Sequence, residues 1–288
     1  MTNTLDAYCV MGNPVAHSRS PWIHSRFAEL TGQPVSYDRA LVPLDGFVDF
    51  VRDFAARGGK GCNVTVPFKL QAAELATSTS ERVRLAGAAN TLVFGANGIH
   101  ADNTDGLGIV ADITRNAGVP IAGRDVLLLG AGGAAAGALG SLLEQKPRRL
   151  VVVNRTHARA QTLVQQHAAI ATLHNVELVA LERQVLETDL TQNFDIIINA
   201  TASSLAGADV PAPASVLHAR SLAYDMMYGP AAQNFLNWAS SHGALARDGL
   251  GMLVEQAAES FALWRGVRPP SAQVLAELRA LLHAEAAH

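Results

Sequence analysis

The chain has 288 residues and a formal charge of −3, from 22 lysines and arginines against 25 aspartates and glutamates; 49% of it is hydrophobic and 16% charged. That length fits two domains or one large α/β unit with a core of ordinary size. The mildly acidic balance argues against an electrostatic nucleic-acid binder, and two cysteines, Cys9 and Cys62, are too few for a disulfide scaffold and read as small buried hydrophobes.

In chain order, Met1–Asp6 carries no basic region and no long apolar stretch, so no signal peptide is expected and a cytoplasmic location follows. Strands are predicted near Ala7–Met11, Val35–Val42, Gly61–Val64 and Thr91–Phe94. Gly95–Gly98 turns into a short strand at Ile99–Ala101. Helices are predicted near Pro21–Leu30, Leu44–Arg57, Phe68–Leu75 and Leu107–Asn116, the last stopped by Gly118 and Pro120. Farther on, strands are expected near Val176–Leu181, Asp195–Asn199 and Ser221–Asp225. Helices follow near Ala231–Ser241, Met252–Trp264 and Ala272–Ala286. The low charge fits an apolar parallel sheet in each half. The histidine spacings match no metal template, so no metal is assigned.

Val126–Leu143 is an uncharged run of 18 residues, about the length at which a membrane span becomes possible. Five of these residues are glycine, however, and the run divides differently. Val126–Leu129 is a short apolar stretch suited to a strand buried on both faces. Gly130-Ala131-Gly132-Gly133-Ala134-Ala135 follows, then a helical stretch to about Gln145, then a second apolar strand at Leu150–Val153. This is a βαβ unit, and Gly130, Gly132 and Ala135 fit the G-x-G-x-x-G/A dinucleotide fingerprint in its proper context. Gly130 allows the tight turn, Gly132 lets backbone approach a pyrophosphate, and the helix N-terminus offers it N–H groups. An NAD site calls for a carboxylate at the end of the second strand. Here the chain reads Asn154-Arg155-Thr156-His157-Ala158-Arg159, with two guanidinium groups instead of an acid. Those groups favour a 2′-phosphate, hence NADP, or else they solvate the start of the next helix.

Three further places can carry chemistry. Ser18 and Ser20 lie in a turn-rich loop after the first strand. Ser20 before Pro21 reads equally as a helix N-cap or as part of a hydroxyl clamp for a carboxylate. Lys69 stands just past the third strand, beyond Pro67, where α/β proteins place active sites; a lone lysine there is more often a solvated helix residue. Asp105, in Asn103-Thr104-Asp105-Gly106, is either a helix cap or a partner that positions Lys69.

Taken together and in order, these pieces resemble the shikimate dehydrogenase family over essentially the whole chain. The resemblance rests on Asn13-Pro14, Ser18-Arg19-Ser20-Pro21, Asn63 to Lys69, Ala89-Asn90-Thr91, Asn103 to Gly106, Gly130 to Ala134, Asn154-Arg155-Thr156, Tyr224 to Tyr228, and Asp248 to Leu253 with Gln256. It implies two α/β domains with the active site in the cleft between them. The N-terminal substrate domain spans residues 1–105 and is joined by C-terminal helices at 250–288; a Rossmann-like NADP-binding domain spans 106–249. The implied activity is reversible NADPH-dependent reduction of 3-dehydroshikimate to shikimate, on the way to the aromatic amino acids. By resemblance, Lys69 is the proton donor and acceptor with Asp105 beside it. Ser18, Ser20 and Tyr228 bind the substrate carboxylate, and Thr65, Asn90, Asp105 and Gln256 hold its hydroxyls. Asn154, Arg155, Thr156 and Arg159 surround the 2′-phosphate, Gly130, Ala131, Gly132, Gly133 and Ala134 form the glycine loop, and Met226 and Gly249 lie beside the nicotinamide. Glu81 and Thr201 are further cofactor positions. The partner is a small-molecule substrate, with no nucleic acid or membrane, and the chain is a monomer or homodimer. A paralogue acting on quinate or using NAD is the nearest alternative, and a non-catalytic nucleotide-binding regulator the next.

Overall fold

The computed structural model describes residues 5–188, 193–201, 210 and 212–286. Most of the leader reading at Met1–Asp6 therefore lies outside the described residues. The internal contacts divide the chain into two units, Met1–Gly108 with Val254–His288, and Ile109–Leu253.

The first unit begins β1 (Asp6–Gly12), α1 (Ser20–Thr31), β2 (Val35–Leu41), α2 (Phe47–Ala56), β3 (Gly61–Val64) and α3 (Lys69–Leu75). It continues β4 (Ser78–Thr79), α4 (Glu81–Ala86), β5 (Thr91–Gly95), β6 (Gly98–Asp102) and α5 (Asp105–Ala111). Gly32 ends α1 at φ 64°, a left-handed position that suits glycine. The helix predicted from Leu44 starts at Phe47, because Pro43 to Gly46 first closes a turn of its own. The sheet order is β2-β1-β3-β5-β6-β4. Its first three strands are parallel, but β5 runs antiparallel to both β3 and β6. The expectation of a parallel sheet in this half is therefore corrected. For β5 and β6 the reason is the Gly95–Gly98 turn, since two strands joined by a tight turn pair antiparallel. Cys9 and Cys62 face each other in register on β1 and β3, both in the core; burial pushes the Cys9 thiol up to about 12 and Cys62 up as well.

The second unit carries β7 (Asp125–Leu129), α6 (Gly133–Glu144), β8 (Arg149–Val153), α7 (His157–Gln166), α8 (Ala168–Leu173), β9 (Glu177–Leu181) and α9 (Arg183–Thr188). After it come β10 (Ile196–Asn199), β11 (Leu222–Asp225), α10 (Gln233–Ser241) and β12 (Leu245–Arg247). Its sheet is wholly parallel in the order β12-β11-β10-β7-β8-β9, a doubly wound arrangement whose direction reverses between β7 and β10. The uncharged run is thus a central strand and the helix packed on it: Leu127, Leu128, Ala138, Gly140 and Ser141 are buried. Among the described residues, no helix is long and apolar enough to cross a membrane.

The helix predicted to run to Asn116 changes hand-hold at Asp112, where a π-turn occupies Asp112–Asn116. Its cause is a buried charge. Asp112 accepts from both the Arg247 guanidinium (2.5 and 2.9 Å) and the Tyr224 hydroxyl (2.7 Å), and Gly251 supplies the space that a side chain would take from the carboxylate. Two long helices end the chain, α11 (Leu250–Arg265) and α12 (Ser271–Ala286). From the first unit's part of α11, the Trp264 indole donates to the Leu92 carbonyl at 3.0 Å, and Gly61 has no side chain because Trp264 and Leu92 fill that space.

Candidate active site

The chain after β3 turns sharply through Thr65 to Phe68, whose N–H bonds the Thr65 carbonyl at 3.0 Å, and the Val66–Pro67 peptide is cis. That turn sets Lys69 at the start of α3. The Lys69 Nζ donates to Asp105 Oδ2 at 2.6 Å. Asp105 opens α5, and its own backbone N–H is held by the Asn103 side chain at 3.1 Å, so Asn103 is the residue that caps there. The other Asp105 oxygen accepts from Asn90 Nδ2 at 2.8 Å. The same amide nitrogen reaches Thr104 Oγ1 at 2.9 Å and Gln256 Oε1 at 3.2 Å. The Lys69 side chain is 31% exposed and Asp105 only 12%, so the ammonium is reachable while its counter-charge is largely covered. A charge-assisted bond of this length fixes the ammonium in direction as well as in place.

Ser18 and Ser20 lie at the mouth of α1. The Ser18 hydroxyl accepts the Ser20 backbone N–H at 3.3 Å, and the Arg39 guanidinium donates to the Ser18 carbonyl at 2.7 and 3.0 Å. The N-cap reading of Ser20 is corrected: Arg19 holds that position and Ser20 is already helical, because Ser18 supplies the hydroxyl one step earlier. Ser20 is buried. Thr65 donates its N–H to the Met11 carbonyl at 2.9 Å, and its methyl fills the space left by Gly12.

In the second unit Gly130 takes φ 111° directly after β7, so close to the Ala200 backbone and Thr201 that a side chain would be crowded. Gly132 and Gly133 are the opposite case: a Cβ built on either meets nothing within 4 Å. The N-terminus of α6 is therefore an open cradle of backbone without a side-chain cap, the shape an extended phosphate group needs. Asn154 ties β8 to this loop, accepting from Ala131 N–H at 3.2 Å and donating to the Thr156 carbonyl at 2.9 Å. Arg155 and Arg159 are exposed at the same strand end. These donors fit a phosphate-bearing dinucleotide. Thr201 hydrogen-bonds Asn199 at 2.7 Å. Gly249 packs against the Met226 main chain, and its N–H donates to the Met227 carbonyl at 2.8 Å.

The structure thus joins Lys69, Asp105, Asn90 and Gln256 directly, and joins the glycine loop to Asn154 and Thr201. It does not bring Glu81 to the glycine loop's unit: Glu81 is exposed on the first turn of α4, in the other unit. Tyr228 belongs to the second unit, leading into a short 3₁₀ turn before α10. Sequence reasoning passed over Asn63, Thr91 and Ser260 as site-building residues, although all three are buried and hydrogen-bonded to one another. Among the described residues, no group of three or more histidines, cysteines or acids can hold a metal ion.

Comparison with known proteins agrees with this anatomy. A family model described as the shikimate dehydrogenase substrate binding domain matches residues 10–92. One described as shikimate / quinate 5-dehydrogenase matches 113–223, and the shikimate 5′-dehydrogenase C-terminal domain matches 249–279. A protein of Acidovorax sp. strain JS42 named shikimate dehydrogenase (NADP(+)) is 71% identical over 99% of this chain and 100% of its own. Among solved structures, an Ael1 enzyme from Pseudomonas putida is 45% identical with a TM-score of 0.88, covering 95% of this chain and 98% of its own. Shikimate 5-dehydrogenase from Thermus thermophilus, solved with NADP(H) and shikimate, is 28% identical with a TM-score of 0.82 over 96% of this chain and 99% of its own. With domain models in sequence along the chain and a full-length relative at this identity, the chain belongs to the shikimate dehydrogenase family.

Proposed function

We infer that this chain is an NADP-dependent oxidoreductase that reversibly reduces the ketone of 3-dehydroshikimate to the alcohol of shikimate, a step toward chorismate and the aromatic amino acids. The reading rests on one observation above all: the Lys69–Asp105 pair at 2.6 Å, surrounded by the neutral hydrogen-bonding groups of Asn90, Thr104 and Gln256. NADPH, when bound, supplies the hydride. As the ketone oxygen gains negative charge, the Lys69 ammonium stabilises it and delivers a proton. In the reverse direction the neutral amine takes that proton back. Asp105 keeps the lysine aimed, and the Asn90 amide keeps Asp105 aimed.

Neutral donors and acceptors suit a small polyhydroxy acid. Thr65, Asn90, Asp105 and Gln256 are assigned to its hydroxyls, and Ser18, Ser20 and Tyr228 to its carboxylate. The Gly130–Ala134 loop is assigned to the pyrophosphate, Asn154, Arg155, Thr156 and Arg159 to the 2′-phosphate, and Met226 and Gly249 to the nicotinamide, with Thr201 and Glu81 as further contacts. The unit of residues 1–108 and 254–288 is then the substrate domain and 109–253 the NADP domain. Relatives named shikimate dehydrogenase (NADP(+)), and the Thermus protein bound to NADP(H) and shikimate, support the choice of substrate and cofactor. The reading includes a cytoplasmic monomer or homodimer.

The test is oxidation of shikimate by the purified protein with NADP, followed in the near-ultraviolet band of reduced nicotinamide, with quinate and NAD as the other arms. Shikimate with NADP is expected to be the best combination; an inactive wild type overturns the reading. Lys69→Ala is expected to lower kcat by about 10²–10⁴ with KM little changed. A pure KM effect would remove the lysine from proton transfer.

A further inference from the structure

The hydroxyls of Thr91 and Ser260 stand behind the site and take no part in the chemistry just described. Both residues are fully buried. The two oxygens are 2.7 Å apart. Ser260 Oγ also accepts from Asn63 Nδ2 at 3.0 Å and lies 3.2 Å from Thr104 Oγ1. Thr91 Oγ1 lies 2.9 Å from Asn90 Oδ1, to which it donates.

Counting protons gives this cluster a direction. A hydroxyl has one proton to give. The Thr91 proton goes to Asn90 Oδ1, so the 2.7 Å contact between the hydroxyls uses the proton of Ser260. The Gln256 carbonyl competes for that proton from 3.1 Å, the longer of the two contacts. At the far end the Tyr37 phenol donates to Asn63 Oδ1 at 2.7 Å, which turns the Asn63 amide nitrogen toward Ser260. One run of donors therefore leads from Tyr37 through Asn63, Ser260 and Thr91 to Asn90. There Oδ1 receives both the Thr91 hydroxyl and the Thr104 backbone N–H at 2.9 Å, so Nδ2 faces Asp105.

We propose that the Ser260–Thr91 hydroxyl pair is a positioning device for proton transfer: it holds the Asn90 carboxamide so that its nitrogen, and not its oxygen, meets Asp105. The distinction falls on the catalytic pair and spares substrate binding. A substrate hydroxyl both donates and accepts, so it tolerates either end of an amide. A carboxylate only accepts, so a turned or loosened Asn90 would face it oxygen to oxygen and release its hold on Lys69. This inference rests on the proposed function of the same site.

The experiment compares Thr91→Val, which keeps the shape and removes the hydroxyl, with Thr91→Ser, which restores the hydroxyl, and with Ser260→Ala. Shikimate oxidation with NADP is measured for each alongside the wild type. The expected result is a kcat about tenfold lower in Thr91→Val, a KM for shikimate within about twofold, and recovery of most of kcat in Thr91→Ser. Ser260→Ala is expected to lower kcat about fivefold with the same unchanged KM. The proposal is overturned if Thr91→Val keeps its kcat, if the loss lies in KM, or if serine fails to restore it. Should Thr91→Val not fold, an unchanged kcat in Ser260→Ala overturns it equally. An inactive wild type overturns the functional reading and this inference together, whereas an active wild type with indifferent variants overturns this inference alone.

Discussion

Two glycines of the second unit separate packing from ligand space. At Gly249 an added Cβ would lie 2.6 Å from the Met226 carbonyl carbon and 3.1 Å from the Asp225 carbonyl oxygen. Ordinary contact begins at 3.4 Å, and the Met226 carbonyl oxygen is closer still than its carbon, so the Met226 backbone has to give by more than about 0.8 Å. Both neighbours are main chain next to β11, and no flexible side-chain end can move aside instead. Overpacking of this kind costs about 1–3 kcal/mol. For a unit of this size that is a fall in Tm of roughly 3–9 °C. Displacing the segment assigned to the nicotinamide by about an ångström or more is expected to lower kcat about 10–100-fold in Gly249→Ala. Gly132→Ala is the matched control. Its Cβ meets nothing within 4 Å and its φ of −94° suits alanine, so Tm is expected to stay within about 1 °C. The methyl group does occupy the open cradle, and NADP affinity is expected to fall about tenfold. Thermal denaturation, NADP titration calorimetry and steady-state rates distinguish the two. A wild-type Tm in Gly249→Ala refutes the close approach to Met226. Unchanged NADP affinity in Gly132→Ala refutes the assignment of the cradle to the pyrophosphate.

Arg155→Ala is expected to weaken NADP at least tenfold and NAD by less than about twofold, read by titration of each nucleotide; equal losses remove Arg155 from the 2′-phosphate. His24 gives a pH prediction. It is fully buried, stacked 4.2 Å from the Tyr37 ring, and burial pulls its pKa from 6.5 down to about 3 against a weaker raising contact with Asn63. Between those values the unfolded chain binds a proton that the folded chain refuses, so stability falls as pH falls, by about 1.4 kcal/mol per unit. Going from about pH 7 to about pH 5 should cost roughly 2 kcal/mol through this group, a cost absent from His24→Leu in urea unfolding. Parallel pH dependence in the two proteins would rule the histidine out.

The elements that sequence reasoning reaches are those with a strong local pattern. Val126–Leu129 is apolar without alternation, and it is a central parallel strand because both its faces are covered. The glycine loop is equally plain, since Gly130 needs a backbone conformation that few residues adopt. Short pieces escape: β4 has two residues and β12 three, too few for any period to declare itself, and six-residue α4 is held by its Ser80 cap and by Arg82 on Asp102. The break at Asp112 escapes because its cause, Arg247, lies 135 residues away. The hairpin of β5 and β6 is legible at Gly95–Gly98, but the antiparallel pairing of β5 with β3, across the intervening α3, β4 and α4, is visible only in the sheet. In the site, the motif residues carry their own local signals. Ser260 carries none: a single serine in a helix that also holds Glu255, Gln256 and Glu259 has no meaning until Thr91, Thr104 and Asn63 are seen around it.

The return of Val254–His288 to the first unit has a consequence for synthesis. The ribosome completes residues 109–253 before it makes the helix that carries Gln256, Ser260 and Trp264. The described strands of the second unit are therefore all made while the first sheet still lacks the cover over Gly61 and Leu92 and the hydroxyl that Thr91 awaits. During that interval the earlier-made half is the one with exposed core, and it depends on residues 254–288, made later, to close. A fragment that stops at Gly108 is accordingly not a domain. A circular permutant that joins 254–288 ahead of residue 1 would make the first unit contiguous and free it from that order.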